Sequence, residues 1–332
     1  MRMISHAQYQ ALAGLLCFLF VLPAQLALAQ AGAKAGPYPA RPVRIIVPFV
    51  AGGGTDLLAR FVSQRLQELL GQQFVVDNRG GAGSVLGTQI LSKATADGYT
   101  LGVLDTAFAI NHSLAEKLPY ESERDFVFIA IIATSPSLIV THPGLKVRTV
   151  QELLALARRQ PGKITFGSAG VGSSSHLTAQ MFMTAAKIEL LHVPFKGAGA
   201  SIADVLGGHT DLTSVVPGTV MQYLQSGAMI PLVITGKSPY HMLPNVPTFT
   251  SIGLGAVNPG QFRFMAAPAG LPAAIRKKLT DAMRAVMEPQ DFRKRLSDNG
   301  FEAELLVEAD ARAYIAQEIR KWRQAVKDAG AK

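Results

Sequence analysis

The stretch that decides the fold is RIIVPFVAGGGTDLLARFV, residues 44–62. It opens with a short apolar run bounded by prolines, which is typical of a buried strand. A glycine turn follows at 52–54, and the apolar residues after it recur at the spacing of one helix face. We expect Thr55 and Asp56 to cap this helix and Gly71 to end it. The stretch therefore predicts a strand, a glycine turn and a helix in immediate succession.

A second segment, residues 164–182, repeats this plan, with Ser173 or Ser174 expected to cap its helix. Further strands are predicted at 74–76, 99–104, 126–132, 137–140, 190–195, 212–216, 231–234 and 263–266, and helices at 84–94, 149–160, 273–287 and 309–327. This alternation predicts an α/β protein with parallel sheets. Two such domains would each place a helix N-terminus at the carboxyl end of a strand, where ligands bind in open parallel sheets.

Composition excludes several classes of protein. The chain has 332 residues, 48% hydrophobic and 17% charged, which is enough to bury one large core or two domains and excludes intrinsic disorder. A single cysteine excludes a disulfide scaffold. The net charge is +9, but the basic residues are scattered and no aromatic platform lies among them, so nucleic-acid binding is not expected.

Residues 1–29 have the features of a secretory signal peptide. The apolar run at 11–22 is shorter than the roughly 20 residues that a membrane-spanning helix needs. Ala27 and Ala29 are small residues at the positions that signal peptidase reads, so we expect export to the periplasm with cleavage after Ala29; an uncleaved membrane anchor is the alternative. Removal of Cys17 with the signal leaves no cysteine, which excludes cysteine catalysis and thiolate metal sites.

The glycine turns favour anion binding over nucleotide binding. The first turn lacks the lysine of a P-loop, and the glycines of the second miss the dinucleotide spacing. Glycines let a ligand approach the backbone, and the free amides at a helix start attract anions. The histidines occur without the spacing of zinc ligands. We therefore expect no metal and no cofactor, and a hydroxyl-rich helix start that holds a carboxylate.

Ser168 and His176 leave a second class of function open, that of an exported serine hydrolase. A nucleophile elbow requires glycine two residues before the serine, and this chain has Phe166 there. The sequence also identifies no third member for a catalytic triad.

The whole chain after the signal resembles one protein family. The matching motifs are YPARPVR (38–44), PFVAGGGTD (48–56), DNRGGAG (77–83), DGYTL (97–101), AIN (109–111), LPY (118–120), GSAG (167–170), HVPFKG (192–197), LPNVPT (243–248) and APAG (267–270). They resemble the Bug family, the periplasmic substrate-binding proteins of tripartite tricarboxylate transporters.

This resemblance implies a two-domain periplasmic-binding-protein (Venus flytrap) fold, in which each domain is a mostly parallel sheet flanked by helices. Domain 1 is expected at 30–133 plus 252–332, and domain 2 at 134–251. The implied function is that of a monomeric, non-enzymatic solute-binding protein. It would capture a small carboxylate-bearing metabolite (an organic acid, amino acid or related compound) between the domains and present it to a membrane transporter or sensor by closing.

Three departures from the family concern the ligand site. Asp105 and Thr106 stand where small hydroxyl or glycine residues are usual. A carboxylate there would repel a second acid group and accept an ammonium or amide, unless it faces solvent or caps a helix. Arg263 replaces part of a Trp-Phe-Gly-like stretch and would either clamp a second carboxylate or point outwards. Residues 215–219 (VVPGT) lack the polar residues often found there in the family, which predicts a less polar wall.

The resemblance places the ligand carboxylate between the two glycine-rich loops, partly through ordered waters. The candidate ligand-binding residues are those of the two loops, those at which the chain departs from the family, and Phe195 of the HVPFKG motif. They are Phe49, Ala51, Gly53, Asp56, Asp105, Thr106, Ser168, Gly170, Ser173, His176, Phe195, Phe262 and Arg263.

Overall fold

A computed structural model describes residues 38–114, 117–255 and 260–328. The predicted signal peptide and its cleavage site lie outside the described residues. The strands are β1 Val43–Val47, β2 Phe74–Asn78, β3 Thr100–Asp105, β4 Phe126–Ser135, β5 Leu138–Thr141, β6 Thr165–Ser168, β7 Leu191–Pro194, β8 Leu212–Val215, β9 Ile230–Ile234, β10 Gln261–Pro268 and β11 Glu302–Val307. The α-helices are α1 Gly54–Leu70, α2 Val85–Ser92, α3 Ala107–Leu114, α4 Val150–Arg159, α5 Ser174–Ala186, α6 Ala198–Leu206, α7 Met221–Gln225, α8 Ala273–Met287, α9 Gln290–Asp298 and α10 Glu308–Asp328.

The strands form two sheets, which define two lobes. The first lobe has a six-stranded sheet in the order β11-β4-β10-β3-β1-β2, and the second a five-stranded sheet in the order β7-β6-β8-β5-β9. In each sheet a parallel part, β2-β1-β3 or β7-β6-β8, is joined to antiparallel strands. The expected α/β two-lobed architecture is present, and its sheets are mixed where the sequence indicated mostly parallel ones.

The chain passes between the lobes twice among the described residues. It leaves the first sheet at Ser135, enters the second at Leu138, leaves it at Ile234 and returns at Gln261. β10 returns antiparallel to both β3 and β4, which is why the first sheet is mixed. The domain boundaries near residues 133 and 251 stay predictions.

Local signals explain where the helices begin and end. α1 begins after Gly53, which offers no side-chain cap, so the expected cap by Thr55 and Asp56 is wrong; both lie inside the first turn. Gly71 ends α1, as expected, and the structure shows it in the left-handed conformation with φ 69°. α5 is capped by Ser173, whose hydroxyl accepts a hydrogen bond from the His176 amide.

Each lobe has its own apolar core. In the first lobe Phe108 packs edge-on against Phe126 and Phe264, and Trp322 of α10 is 1% exposed in the same cluster. In the second lobe Phe182 of α5 packs against Phe249. These cores fix the strands whose carboxyl ends carry the candidate site.

Candidate functional site

One cavity lies where the two lobes face each other. Its lining residues are Phe49, Gly53, Gly54, Thr55, Asp56, Asp105, Ala169, Ser174, Ser175, Ala198, Ser214, Val215, Val216, Gln261 and Arg263. They come from the carboxyl ends of β1, β3, β6 and β8, the starts of α1, α5 and α6, and the first residues of β10. The space inside the cavity that water molecules can occupy is about 30 Å³, which is room for about two waters.

The start of α1 is the first wall of this cavity. Asp56 holds its glycine loop in place, since its carboxylate accepts hydrogen bonds from the Gly52 amide (3.0 Å) and Asn78 Nδ2 (3.1 Å) and pairs with Arg60 (2.9 Å). With Asp56 used in this way and no side-chain cap on the helix, the first amides of α1 remain suited to an anion.

The start of α5, on the opposite wall, is satisfied internally. Ser173 Oγ accepts from the His176 amide (3.2 Å), and Ser175 Oγ accepts from the Ala169 amide (2.8 Å). The two hydroxyls lie 3.0 Å apart and share a hydrogen bond. This wall therefore presents an ordered hydroxyl network to the cavity, with Ser174 and Ser175 as its lining residues.

Asp105 lies at the floor of the cavity and also caps a helix. It is 5% exposed, and its carboxylate accepts from the Ala107 amide at the start of α3 (2.9 Å) and from Thr55 Oγ1 (3.0 Å). Asp105 therefore lines the cavity and also accepts a hydrogen bond from the first amide of α3, while its role in ligand binding stays a prediction. Burial raises the pKa of Asp105, and the positive charge of Arg263 opposes that rise.

Arg263 faces the cavity from β10 and does not point outwards. It stands directly opposite Asp105 in the antiparallel pair of β10 and β3 and is 1% exposed. Its guanidinium donates to Ser135 Oγ (2.7 Å) and Gln261 Oε1 (2.8 Å) and lies 5.2 Å from the Phe301 ring centre. Burial lowers the pKa of Arg263 to about 10, so the side chain stays positively charged near neutral pH.

Other predicted site residues lie behind the cavity. The Ser168 and His192 side chains share a 2.6 Å hydrogen bond, and the His176 ring stacks on His192 with centroids 4.4 Å apart. Thr106 Oγ1 accepts from the Phe262 amide (2.8 Å), and the Phe262 ring packs against Phe264 in the first core. The serine of the hydrolase alternative therefore pairs with His192 and not with His176.

Ala51 and Gly170 lie at the contact between the lobes. A Cβ on Gly199 would lie 2.0 Å from the Ala51 carbonyl oxygen, and a Cβ on Gly170 would lie 3.3 Å from the Gly83 amide nitrogen. Phe195 follows β7 in the second lobe, where its amide donates to the Ser168 carbonyl (2.9 Å). Of the thirteen candidate residues, five line the cavity: Phe49, Gly53, Asp56, Asp105 and Arg263. The ligand-binding role of all thirteen stays a prediction.

Sequence reasoning missed several lining residues, and one of them had a usable signal. Gln261 and Arg263 both line the cavity, whereas Phe262 between them belongs to the core, as the alternation of side chains along a strand requires. The two-residue period of a strand could therefore have assigned Arg263 to the cavity and Phe262 to the core. Ser214 and Ala198 had no comparable signal, since only the packing of the second lobe brings them here.

Two kinds of feature are not found in the described part of the chain. Residues 38–114, 117–255 and 260–328 contain no group of three or more potential metal-ligating side chains. Over the same residues, every helix is too short or too polar to cross a membrane.

Comparison with known proteins agrees with this architecture. The pattern of the TctC family, the tripartite tricarboxylate transporter family receptors, matches residues 58–331. Protein BugT of Bordetella pertussis is 31% identical over 316 residues, covering 95% of this chain and 96% of BugT. The structure of the periplasmic binding protein BugD has a TM-score of 0.84 at 31% identity, covering 89% of this chain and 99% of BugD.

A third relative has a structure with a bound ligand. The structure of R. palustris Rpa4515 with adipate has a TM-score of 0.85 at 30% identity, covering 88% of this chain and 98% of Rpa4515. These matches confirm the periplasmic-binding-protein fold and the resemblance to the Bug proteins. The chain belongs to the TctC family of tripartite tricarboxylate transporter receptors.

Proposed function

We propose that this protein is a periplasmic solute-binding protein that captures a small carboxylate-bearing metabolite between its lobes. The observation that carries the proposal is the convergence of an uncapped helix start, an ordered hydroxyl network and a buried arginine on one cavity. All three favour an anionic group. The adipate described for Rpa4515 supports the same ligand class.

Ligand capture works by closure of the lobes in this proposal. The lobes meet through backbone contacts, among them a hydrogen bond from the Val50 amide to the Lys196 carbonyl (3.2 Å) and the close approach of Gly199 to Ala51. A ligand that touches both lobes gains all of its contacts only in the closed state, so it shifts the population towards closure. The closed surface is then presented to a membrane transporter or sensor.

The proposal includes a location, an assembly state and the absence of catalysis. The signal at residues 1–29 directs export, with cleavage after Ala29, and the mature protein acts as a monomer in the periplasm. It performs no chemical step on its ligand. Turnover of an ester or amide by the purified protein, lost on Ser168→Ala, would contradict this part.

Binding and closure are tested together. We expect isothermal titration with a panel of mono-, di- and tricarboxylates and amino acids to give at least one ligand. Saturation at 100 times the dissociation constant should add about 2.7 kcal/mol to the free energy of unfolding. Small-angle scattering should then show a smaller radius of gyration with that ligand than without it. Failure of the whole panel to bind would overturn the proposal.

A matched pair of glycine variants tests whether closure is required. A Cβ at Gly199 would lie 2.0 Å from a backbone oxygen of the other lobe, whereas a Cβ at Gly260 would meet no atom of the described residues within 4 Å. We expect Gly199→Ala to remove both compaction and detectable binding, because the lobes can no longer meet. Gly260→Ala should bind as the unsubstituted protein does. Equal binding by both variants would contradict closure.

A further inference from the structure

Arg263 is a buried cation that forms no salt bridge among the described residues. Its side chain is 1% exposed, and among the described residues no carboxylate oxygen lies within 4.0 Å of its nitrogens. The neutral Ser135 and Gln261 side chains accept from its two terminal nitrogens, and its Nε has no partner in the described structure. Burial of a charge is costly unless it is paired. Asp105 stands opposite Arg263 on β3 and attracts it without forming a salt bridge, so the guanidinium keeps capacity for a ligand anion.

The start of α1 adds a second positive group at the same point. A Cβ built on Gly54 would lie 3.1 Å from Arg263 Nη2, which places the guanidinium against the first turn of the helix. The N-terminus of a helix carries partial positive charge, and here no side chain caps it. The guanidinium of Arg263 and the positive end of α1 therefore both face the cavity, and a carboxylate bound between them would pair with both.

Asp105 supplies the opposite charge beside them. It is the direct neighbour of Arg263 across the two strands and lines the same cavity. Its partners are neutral donors, the Ala107 amide and the Thr55 hydroxyl. An ionised carboxylate has about four acceptor positions, so capacity for a further donor remains. A ligand ammonium would pair with Asp105, whereas a second ligand carboxylate would be repelled.

We propose that the ligand is an amino acid, whose carboxylate binds Arg263 and the start of α1 and whose ammonium binds Asp105. This inference rests on the proposed capture of a carboxylate and names the ligand class. Arg263 and Asp105 are the residues that determine specificity.

The test compares ligands that differ only in the amino group. Alanine with propionate, and glutamate with glutarate, are titrated into the purified protein at neutral pH. We expect the amino acid of at least one pair to bind at least about tenfold more tightly than its deaminated analogue, the scale of one charge-assisted contact. This measurement needs no variant and so does not depend on whether a substituted protein folds.

Two variants then assign the preference to its residues. Asp105→Asn should reduce the preference for the amino acid to less than about threefold while binding of the plain acid persists or improves. Arg263→Gln should weaken both members of a pair by about thirtyfold or more, because a buried charge contact is lost. Asp298→Asn and Arg124→Gln are matched controls, since these side chains are 57% and 70% exposed. Circular dichroism melting establishes that each variant is folded.

The outcomes separate this inference from the proposed function. Equal binding of both members of every pair, a preference for the plain dicarboxylate, or an amino-acid preference unchanged in Asp105→Asn would overturn the inference and leave carboxylate capture intact. Binding unaffected by Arg263→Gln would overturn the role of the arginine. If neither amino acids nor plain acids bind the unsubstituted protein, the proposed function itself fails.

Discussion

The starts of α1 and α5 have the same plan in the sequence but different surroundings in the structure. Each follows a strand and a glycine-rich turn and faces the cavity. α5 is capped by Ser173, and its loop is held by Ser175. α1 begins at a glycine without a side-chain cap and lies against Arg263. The start of α5 finds its hydrogen-bond partners within the chain, whereas the first amides of α1 are paired only when a ligand binds there.

This difference suggests a division of labour between the two walls. The hydrogen bonds at the start of α5 hold that wall in place before the ligand arrives, so binding loses little conformational entropy there. The wall at α1 keeps polar groups unmet, which costs stability in the free protein and is recovered when a ligand pairs with them. Substitutions at the two helix starts should therefore have opposite effects on binding and on stability.

The largest effect is expected from Gly54→Ala. The added Cβ would lie 2.6 Å from Val216 Cγ2 and 3.1 Å from Arg263 Nη2, so it fills the cavity from the α1 side. We expect affinity for the ligand to fall about a hundredfold, or about 2.7 kcal/mol. The melting temperature without ligand should not rise, because the clash with the buried Val216 side chain offsets the better helix propensity of alanine. Unchanged affinity, measured by titration calorimetry, would mean that the ligand does not lie at this helix start.

An intermediate effect, on the pH dependence of stability, is expected from the stacked histidines His176 of α5 and His192 of β7. Burial, with repulsion from His192, lowers the pKa of His176 to about 4, whereas the unfolded chain protonates it near 6.5. Between these two pH values the unfolded state binds more protons, so stability present above pH 6.5 is lost as the pH falls towards 4. The loss should be about 2 kcal/mol, given that the ring is partly exposed.

The measurement is thermal melting at several pH values. His176→Gln should flatten the dependence, and His209→Gln, where the side chain is 76% exposed, should leave it unchanged. An identical pH dependence in His176→Gln and the unsubstituted protein would exclude His176 as its source. Because His192 stacks on His176, and burial lowers the pKa of His192 as well, the double variant should be flatter still.

The smallest effect is expected from Ser173→Ala. Loss of the hydroxyl that caps α5 should cost about 1 kcal/mol of unfolding free energy, measured by urea denaturation. Affinity should change little, because Ser173 does not line the cavity. Ser174→Ala is the control, since Ser174 lines the cavity and does not cap the helix. A larger loss of affinity in Ser173→Ala than in Ser174→Ala would favour the direct ligand contact that the sequence motif predicts.

Much of the fold could be predicted from local pattern, and the misses have physical reasons. The helix at 273–287 and the end of α1 at Gly71 were predicted correctly, because amphipathic spacing and glycine are strong local signals. α3 was missed because Ala107–Asn111 is buried throughout and so has no polar face to give a period. α9 and β11 were missed too, since Gln290–Asp298 is strongly polar and β11 is an edge strand with exposed residues.

By itself, the sequence determined the alternation of strands and helices, the two glycine-rich helix starts and the family, because each depends on neighbours close along the chain. Only the tertiary structure decided that Asp105 and Arg263, 158 positions apart (263 − 105), are paired across two strands. It also decided that Asp56 stabilises its own loop, and that one helix start lacks a cap where the other has one. Strand register and burial set these contacts, and both depend on how the whole chain packs.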